Sequence, residues 1–324
     1  LPKTIDQAIL KHIDYDVKDH TIKTSINKTE EILNQITEQF IASGYPFTVL
    51  NLKNLQRDQQ FITAQLEINI NKKRQLDKIK IKGYEKFPRS FLNNFIKIKP
   101  KDRFDIENIK RKMYNLDQLD FANQSREAEV LFTKDSTILY IYPKKTSANT
   151  FDGFLGFGTN EQTNKLQFDG YLNLQLVNNL NYGERLSVVY KNDEIDQQTF
   201  RINVSLPFIF KSPISIDLGL FLFRKDSTFS NVTQQIKALY QINTKQKIGL
   251  SFSALQSTNL LSNANTSVSD FKTQFYGLNY HYKVLQSENL LFPENFSLNI
   301  SYQYGARFGN LGNFSQQMIK LNTL

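Results

Sequence analysis

The chain of 324 residues contains no cysteine, no tryptophan and only three histidines. Without cysteine there is no disulfide scaffold, no thiolate zinc site and no thiol nucleophile. His12, His20 and His281 never meet the i, i+4 spacing of a helical metal site, so no metal is expected. No apolar run reaches 18 residues, which excludes a helical membrane span. A mean hydropathy of −0.44 leaves a membrane barrel open, because strands that alternate polar and apolar residues average to mild hydrophilicity. The common catalytic motifs are missing too: there is no phosphate-binding glycine loop, no G-x-S-x-G elbow and no H-E-x-x-H. The G-x-G of 154–159 (FLGFGT) lies inside an alternating stretch and lacks the third glycine and the helix of a nucleotide fingerprint. Asp152, Asp169 and Asp217 form no interpretable acid–base pair. Neither an enzyme nor a cofactor is expected. The chain opens on Leu1-Pro2 with no charged n-region or apolar h-region. Either a leader has been removed or the sequence begins inside a longer chain, so the compartment has to come from the architecture.

What is present is divided unevenly. The net charge is +9 overall. Residues 1–147 carry 26 basic and 19 acidic side chains, whereas the longer stretch 148–324 carries only 14 and 12. Aromatic residues run the other way, with 15 in the first part and 26 in the second. A charged, water-facing region is therefore followed by one in which Phe, Tyr, Asn, Ser and Gln replace charge.

The first part reads as two small α/β modules, 1–72 and 73–147. In 28–43, Ile32, Leu33, Ile36, Phe40 and Ile41 share a helical face, with Thr29 as a cap and Gly44 as a stop. Two strands follow, one marked by Phe47, Val49 and Leu52, the other by the alternation of Leu66, Ile68 and Ile70. The second module is more complete. It has a strand at Leu76–Ile81, a short helix after Pro88 and a helix over 106–119 capped by Asp105. Strands at 124–133 and 137–142 close it. The apolar residues of the basic tract 72–89 alternate as one strand face, and the tract lacks the interleaved exposed aromatics of a single-strand stacking platform, so it reads as a solvated face and no nucleic acid is expected as a partner.

The β-α-α-β-β order, with GYEKFPRSFL, KPKDRFDIENIKRKMYNL and the closing strand pair, resembles a POTRA domain, the periplasmic module of the Omp85 superfamily. ITEQFIASGYPF resembles the helix-to-strand corner of a preceding one. One departure is LDQLDFANQ, where these modules usually place a glycine after the second helix.

From Phe151 the period becomes two. Leu172, Leu174 and Leu176 alternate with Tyr171, Asn173 and Gln175, and similar runs recur at 200–210, 214–222, 248–253 and 296–304. These segments are about 9–14 residues long, beyond the 5–6 of an ordinary strand and sufficient to cross a bilayer at a tilt. KSP (211–213) and NTKQ (243–246) are short connections. GTNEQTN (158–164), YKNDEIDQQ (190–198), RKDSTFSN (224–231) and STNLLSNANTSVSD (257–270) are longer and polar. Sided loop lengths are expected of an outer-membrane barrel, with NNLNYGE (178–184) and LQSENLLFPEN (285–295) as exceptions on the short side. Tyr182, Phe208, Phe210, Tyr240, Tyr280, Tyr282, Tyr302 and Tyr304 fall near strand ends, where an interfacial girdle belongs. A large soluble β-sandwich is the competing fold.

POTRA-like modules followed by a barrel is the order of the Omp85 superfamily. The expected fold is therefore α+β modules preceding an antiparallel transmembrane β-barrel over 148–324. About ten strands are legible, the last at 316–324, of about sixteen in that family. The family's lumenal arginine motif finds no match and is expected beyond residue 324, so the chain reads as an incomplete member. The resemblance implies an outer-membrane location with the modules in the periplasm. It implies assembly or insertion of unfolded β-rich outer-membrane clients, contact with outer-membrane lipid, and accessory lipoproteins. A two-partner secretion transporter is the alternative, and a passive pore or surface-binding barrel is a further one of another class. Strand 150–159 is the expected client-pairing edge: Gly153, Gly156 and Gly158 weaken its interior, while Phe151, Phe154 and Phe157 supply apolar surface. The same glycines could instead relieve crowding at a bent strand.

Overall fold

A computed structural model describes residues 15–16, 18–58, 60–160, 165–192, 197–225, 228–261, 270–285, 294–309 and 312–323. The four longer loops read from the sequence, at 158–164, 190–198, 224–231 and 257–270, and the connection at 285–295 each fall partly outside these residues. In chain order the elements are β1 (Tyr15–Asp16), β2 (Thr21–Ile22), α1 (Thr29–Ala42), β3 (Val49–Arg57), β4 (Ile62–Asn69) and β5 (Lys78–Ile81). Then come α2 (Arg89–Phe91), which runs into a π-helical turn at Leu92–Ile96, α3 (Ile106–Met113), β6 (Ala122–Gln124), β7 (Glu129–Phe132), β8 (Thr137–Ile141) and β9 (Pro143–Lys145). Ten strands complete the chain: β10 (Thr150–Asn160), β11 (Lys165–Val177), β12 (Arg185–Asn192), β13 (Gln197–Leu206), β14 (Ile214–Lys225), β15 (Phe229–Gln241), β16 (Gln246–Asn259), β17 (Phe271–Leu285), β18 (Glu294–Gly309) and β19 (Gly312–Thr323).

The chain divides into two compact units whose boundary does not follow the sequence modules. The first holds Leu1–Lys82, Ile98–Tyr114 and Arg126–Tyr142; the second holds Gly83–Lys97, Asn115–Ser125 and Pro143–Leu324.

In the first unit, α1 buries Ile36 and Phe40 and stops at Gly44, whose φ of +93° suits glycine. Thr29 is the first helical residue rather than the cap; its hydroxyl donates to the Ser25 carbonyl at 3.2 Å. Strands β3 and β4 pair as a separate antiparallel ribbon. Strands β5, β8 and β7 make a mixed sheet in that order, β5 parallel and β7 antiparallel to the central β8. Thr137, Leu139 and Ile141 are the buried face of β8. Lys78 and Lys80 stand exposed on either side of buried Ile79, the solvated face expected of the basic tract. Helix α3 begins as expected, with the Asp105 carboxylate accepting from the Asn108 amide at 3.0 Å. It ends at Met113, earlier than the sequence reading.

In the second unit, a 3₁₀ turn at Tyr114–Gln118 takes over, starting on the last residue of the first. The Asp117 carboxylate accepts from both the backbone amide and the side chain of Gln124, at 2.6 and 2.9 Å, which draws that turn toward β6 instead of prolonging a helix. The strand read at 124–133 is correspondingly two pieces, β6 and β7, and β6 pairs with β9.

The second unit is dominated by a ten-stranded antiparallel sheet in which every strand neighbours the next in sequence, β10 through β19. Register fixes its two faces. Leu176, Leu186, Val204, Leu218, Ile236, Phe252, Tyr276 and Tyr304 are successive cross-strand partners, forming one apolar row from β11 to β18. One residue along, Gln175, Ser187, Asn203, Gly219, Gln235 and Ser253 form a polar row on the opposite face. The exposure is the reverse of a soluble sheet. Leu250 is 63% exposed and Leu278 61%, while Ser251 and Asn279, on the other face, are 7% exposed. The polar face is the enclosed one, and Asn279 Nδ2 donates there to Ser251 Oγ at 2.8 Å. A soluble β-sandwich, whose apolar inner faces pack together, does not have this pattern.

Phe208 and Phe210, read as continuing β13, do not belong to a strand. Pro207 cannot donate a ladder hydrogen bond, so β13 ends at Leu206 and the chain turns with φ of 53° at Phe208 and 52° at Phe210. Phe208 is therefore buried and not part of an exposed girdle.

Candidate functional site

Two places carry the functional argument: the free edge formed by β10, and the ends of the large sheet where residues 83–97 meet its turns. Strand β10 pairs with β11 without a register shift, from Thr150 opposite Gln175 to Asn160 opposite Lys165. Among the described residues its other edge has no partner strand, and the same is true of β19 at the far side. The six residues singled out in the sequence all lie on β10, but not on one face. Phe151 is opposite Leu174 and shares the apolar face with Phe157; Phe154 is opposite Tyr171 on the polar face, its ring 3.8 Å from where a Cβ of Gly156 would stand. Their exposures are 70%, 80% and 68%, so this strand presents aromatic surface on both sides.

The glycines separate in the same way. A Cβ at Gly153 would come within 2.8 Å of the Tyr171 carbonyl oxygen, so glycine is required there by close approach of the neighbouring strand. At Gly156 the nearest atoms are 3.8 Å away and at Gly158 nothing lies within 4 Å. Packing does not require glycine at those two positions; what it leaves there is a strand with few side chains to interlock. Crowding thus explains one glycine of the three.

The second place was not read from the sequence. Within the second unit, residues 83–97 hold three alternate turns of the sheet, β11–β12, β13–β14 and β15–β16. At the β11–β12 turn, Tyr84 Oη accepts from Asn178 Nδ2 at 2.9 Å and donates to Asn181 Oδ1 at 2.5 Å. Asn178 is fully buried, and its Oδ1 accepts from the Gly183 amide at 2.8 Å. The Glu184 carboxylate closes the loop by accepting from the amides of Leu180 and Tyr182. Gly183, at φ +77°, lies flat against the Phe91 ring, where a Cβ would clash at 2.0 Å. At the β13–β14 turn, Phe91 meets Phe208 edge-on with centroids 4.8 Å apart, and Asn94 Nδ2 donates to the carbonyls of Lys211 and Ser212 at 3.2 Å each. At the β15–β16 turn, Lys97 Nζ donates to the Ile242 carbonyl at 2.6 Å. Arg185 and Asp120 form an ion pair nearby in sequence to the first turn. Burial pushes the Tyr84 hydroxyl pKa up, the Asn178 hydrogen bond opposes it, and the Glu184 charge adds to the rise.

This knot accounts for NNLNYGE being longer than the other short connections: three of its residues serve Tyr84 and Phe91. The only sequence signal was that excess length, together with Pro207 breaking the strand period.

The polar face of the sheet carries side-chain hydrogen bonds. Ser205 Oγ donates to Asp217 Oδ1 at 2.5 Å, and His281 Nδ1 lies 2.5 Å from Asn299 Oδ1. Among the described residues no cluster of His, Asp or Glu could hold a metal ion.

No family model matches the chain, and no curated protein does. Solved structures do. BamA from Haemophilus ducreyi lacking POTRA domains 1–3 matches with a TM-score of 0.54 at 12% identity, over 94% of this chain and 64% of that one. CdiB from Acinetobacter baumannii matches with a TM-score of 0.51 at 14% identity, over 98% of this chain and 60% of that one. The likeness is one of fold: the antiparallel sheet has the architecture of these barrels. The chain spans less than two thirds of the length of either structure.

Proposed function

We propose that the chain is part of an outer-membrane assembly factor of the Omp85 superfamily, which pairs unfolded β-rich clients with a free strand edge and releases them into the membrane. The observation that carries this reading is β10: a long strand, unpaired at one edge among the described residues, open at Gly156 and Gly158, in a sheet whose apolar face is exposed and whose polar face is enclosed. Backbone hydrogen bonds to such an edge give affinity with little demand on sequence, which suits many clients. The inverted faces favour an outer-membrane location, since a bilayer covers apolar rows that water would penalise. The order β5, α2, α3, β7, β8 and the mixed sheet β5-β8-β7 support reading 73–147 as a POTRA-like periplasmic module. The partners are clients, outer-membrane lipid and accessory lipoproteins; no catalysis, cofactor or nucleic acid enters. A transporter dedicated to one secreted protein fits the same fold, and a passive pore does not use the edge at all.

The test is a disulfide capture. Gly153 is too crowded for a cysteine, so the probe position is Gly158→Cys, in a chain with no other cysteine. The full-length protein in vesicles should form disulfides with single-cysteine strands from several unrelated outer-membrane clients. Capture of a single dedicated substrate would favour the transporter. No capture, with the barrel folded, would leave β10 without this role.

A further inference from the structure

We propose that the apolar wall of the sheet holds one anionic phospholipid at a defined place, above the turns that residues 83–97 hold. This rests on the bilayer reading of the sheet and adds a bound ligand to it. The wall there is dented: a depression of about 540 Å³ lies over β14–β18. Its floor is Ala238, the small partner of Ile216 and Leu250 in a row otherwise made of large side chains. Ile214, Leu278 and Tyr302 are among the residues around it, and almost no polar surface enters it. A groove with carbon walls in a bilayer-facing sheet suits a single acyl chain, which would fill it with apolar contacts.

The charge at the turn end of the groove selects the headgroup. Tyr240 lines the groove, and two residues on the Ile242 carbonyl carries the Lys97 ammonium at 2.6 Å. Lys245 is in the same turn, and its carbonyl accepts from the Lys283 amide at 2.8 Å. Lys211 ends the turn that leads into Ile214. The stretches 92–101, 208–216, 242–259 and 271–283 contain no aspartate or glutamate; of the carboxylates on the groove strands, Asp217 of β14 lies on the polar face, bonded to Ser205, and Glu294 is the first residue of β18, opposite Leu285. A recess for a chain and a rim of lysines without a carboxylate on those stretches fit a lipid whose phosphate carries net negative charge. A zwitterionic lipid would gain less there.

The experiment uses the full-length protein folded into vesicles of phosphatidylcholine containing one fifth phosphatidylglycerol, with spin-labelled forms of each lipid as probes. Heat-modifiable migration reports folding separately. Phosphatidylglycerol should be immobilised over phosphatidylcholine by about five-fold or more, and high salt should lower the ratio. The triple variant Lys97→Gln, Lys211→Gln, Lys245→Gln should fold and lose the preference. Ala238→Trp, or Leu250→Trp as a second way to obstruct the groove, should reduce the immobilised fraction of both lipids. A folded wild-type barrel with equal ratios would overturn the proposal, as would a preference that survives the triple variant or a folded groove-filling variant. Failure to fold into phosphatidylcholine alone would instead count against the bilayer reading on which the proposal rests.

Discussion

The mixed sheet β5-β8-β7 and the ten-stranded sheet β10–β19 use the same alternation of apolar and polar residues and turn it to opposite ends. In β8, Leu139 and Ile141 are buried and lysines stand outside on β5; in β16 and β17, Leu250 and Leu278 stand outside and Ser251 and Asn279 are enclosed. Period two says only that a strand has two unlike faces. Which face is enclosed says what solvent lies beyond. The lesson is that strand pattern and charge density have to be read together: lysines take the outward positions of β5, whereas Leu250 and Leu278 take those of β16 and β17.

The comparison can be broken most forcefully at Leu139. Leu139→Ala should destabilise the first unit by about 2–5 kcal/mol, with or without lipid, as a large-to-small change in a packed core. Hydrogen exchange of β5 and β8 in the full chain would measure it, and a lipid-dependent loss would show that the two sheets do not differ as described. The reciprocal test is on β11. Leu174→Arg should cost about 2–4 kcal/mol in a vesicle-folding titration if the residue lies near mid-depth, while Asn173→Arg, on the other face, should be tolerated. Equal costs would cancel the assignment of faces.

The held turns give a finer contrast, because their polar groups are buried by protein. Tyr84→Phe should cost about 1–3 kcal/mol by leaving the buried Asn178 amide without its acceptor. The folded-state pKa of Tyr84 is raised, so its contribution is complete below the unfolded value of about 10 and is lost as pH rises through the higher folded value. Protease sensitivity of the 178–184 turn should rise in that alkaline range, and the tyrosine-specific part of the rise should vanish in the Phe variant. The smallest effect is expected at Asp120→Asn. Its ion pair with half-exposed Arg185 should be worth under about 1 kcal/mol and should fade with salt, by thermal melts at two ionic strengths.

Much of the large sheet was legible because its signal is local and repeated: Leu172, Leu174 and Leu176 occupy the apolar rows that their spacing predicts. The Asp105 cap was legible for the same reason, since it acts three residues away. What was not legible depends on groups distant in sequence. Tyr84 meets Asn178 across 94 residues and Asn94 meets Lys211 across 117, and no periodicity encodes such a meeting. The misassigned Phe208 shows how this fails: its apolar character continued the strand pattern, but Pro207 ended the ladder and an aromatic ring 117 residues earlier in the chain, Phe91, took up the side chain. At β10 the sequence could not divide the glycines, because the crowding at Gly153 comes from the Tyr171 carbonyl on the next strand.

The strictly consecutive order of β10 to β19 has a kinetic consequence. Each strand finds its partner immediately behind it in the chain, so closing each new pair requires only a short loop and costs little chain entropy. The sheet can therefore grow one hairpin at a time from either end, each completed strand serving as the template for the next. Growth of that kind has no step at which distant segments must search for one another. Until its next neighbour is added, each newly placed strand keeps an edge of unpaired backbone that can receive some other segment.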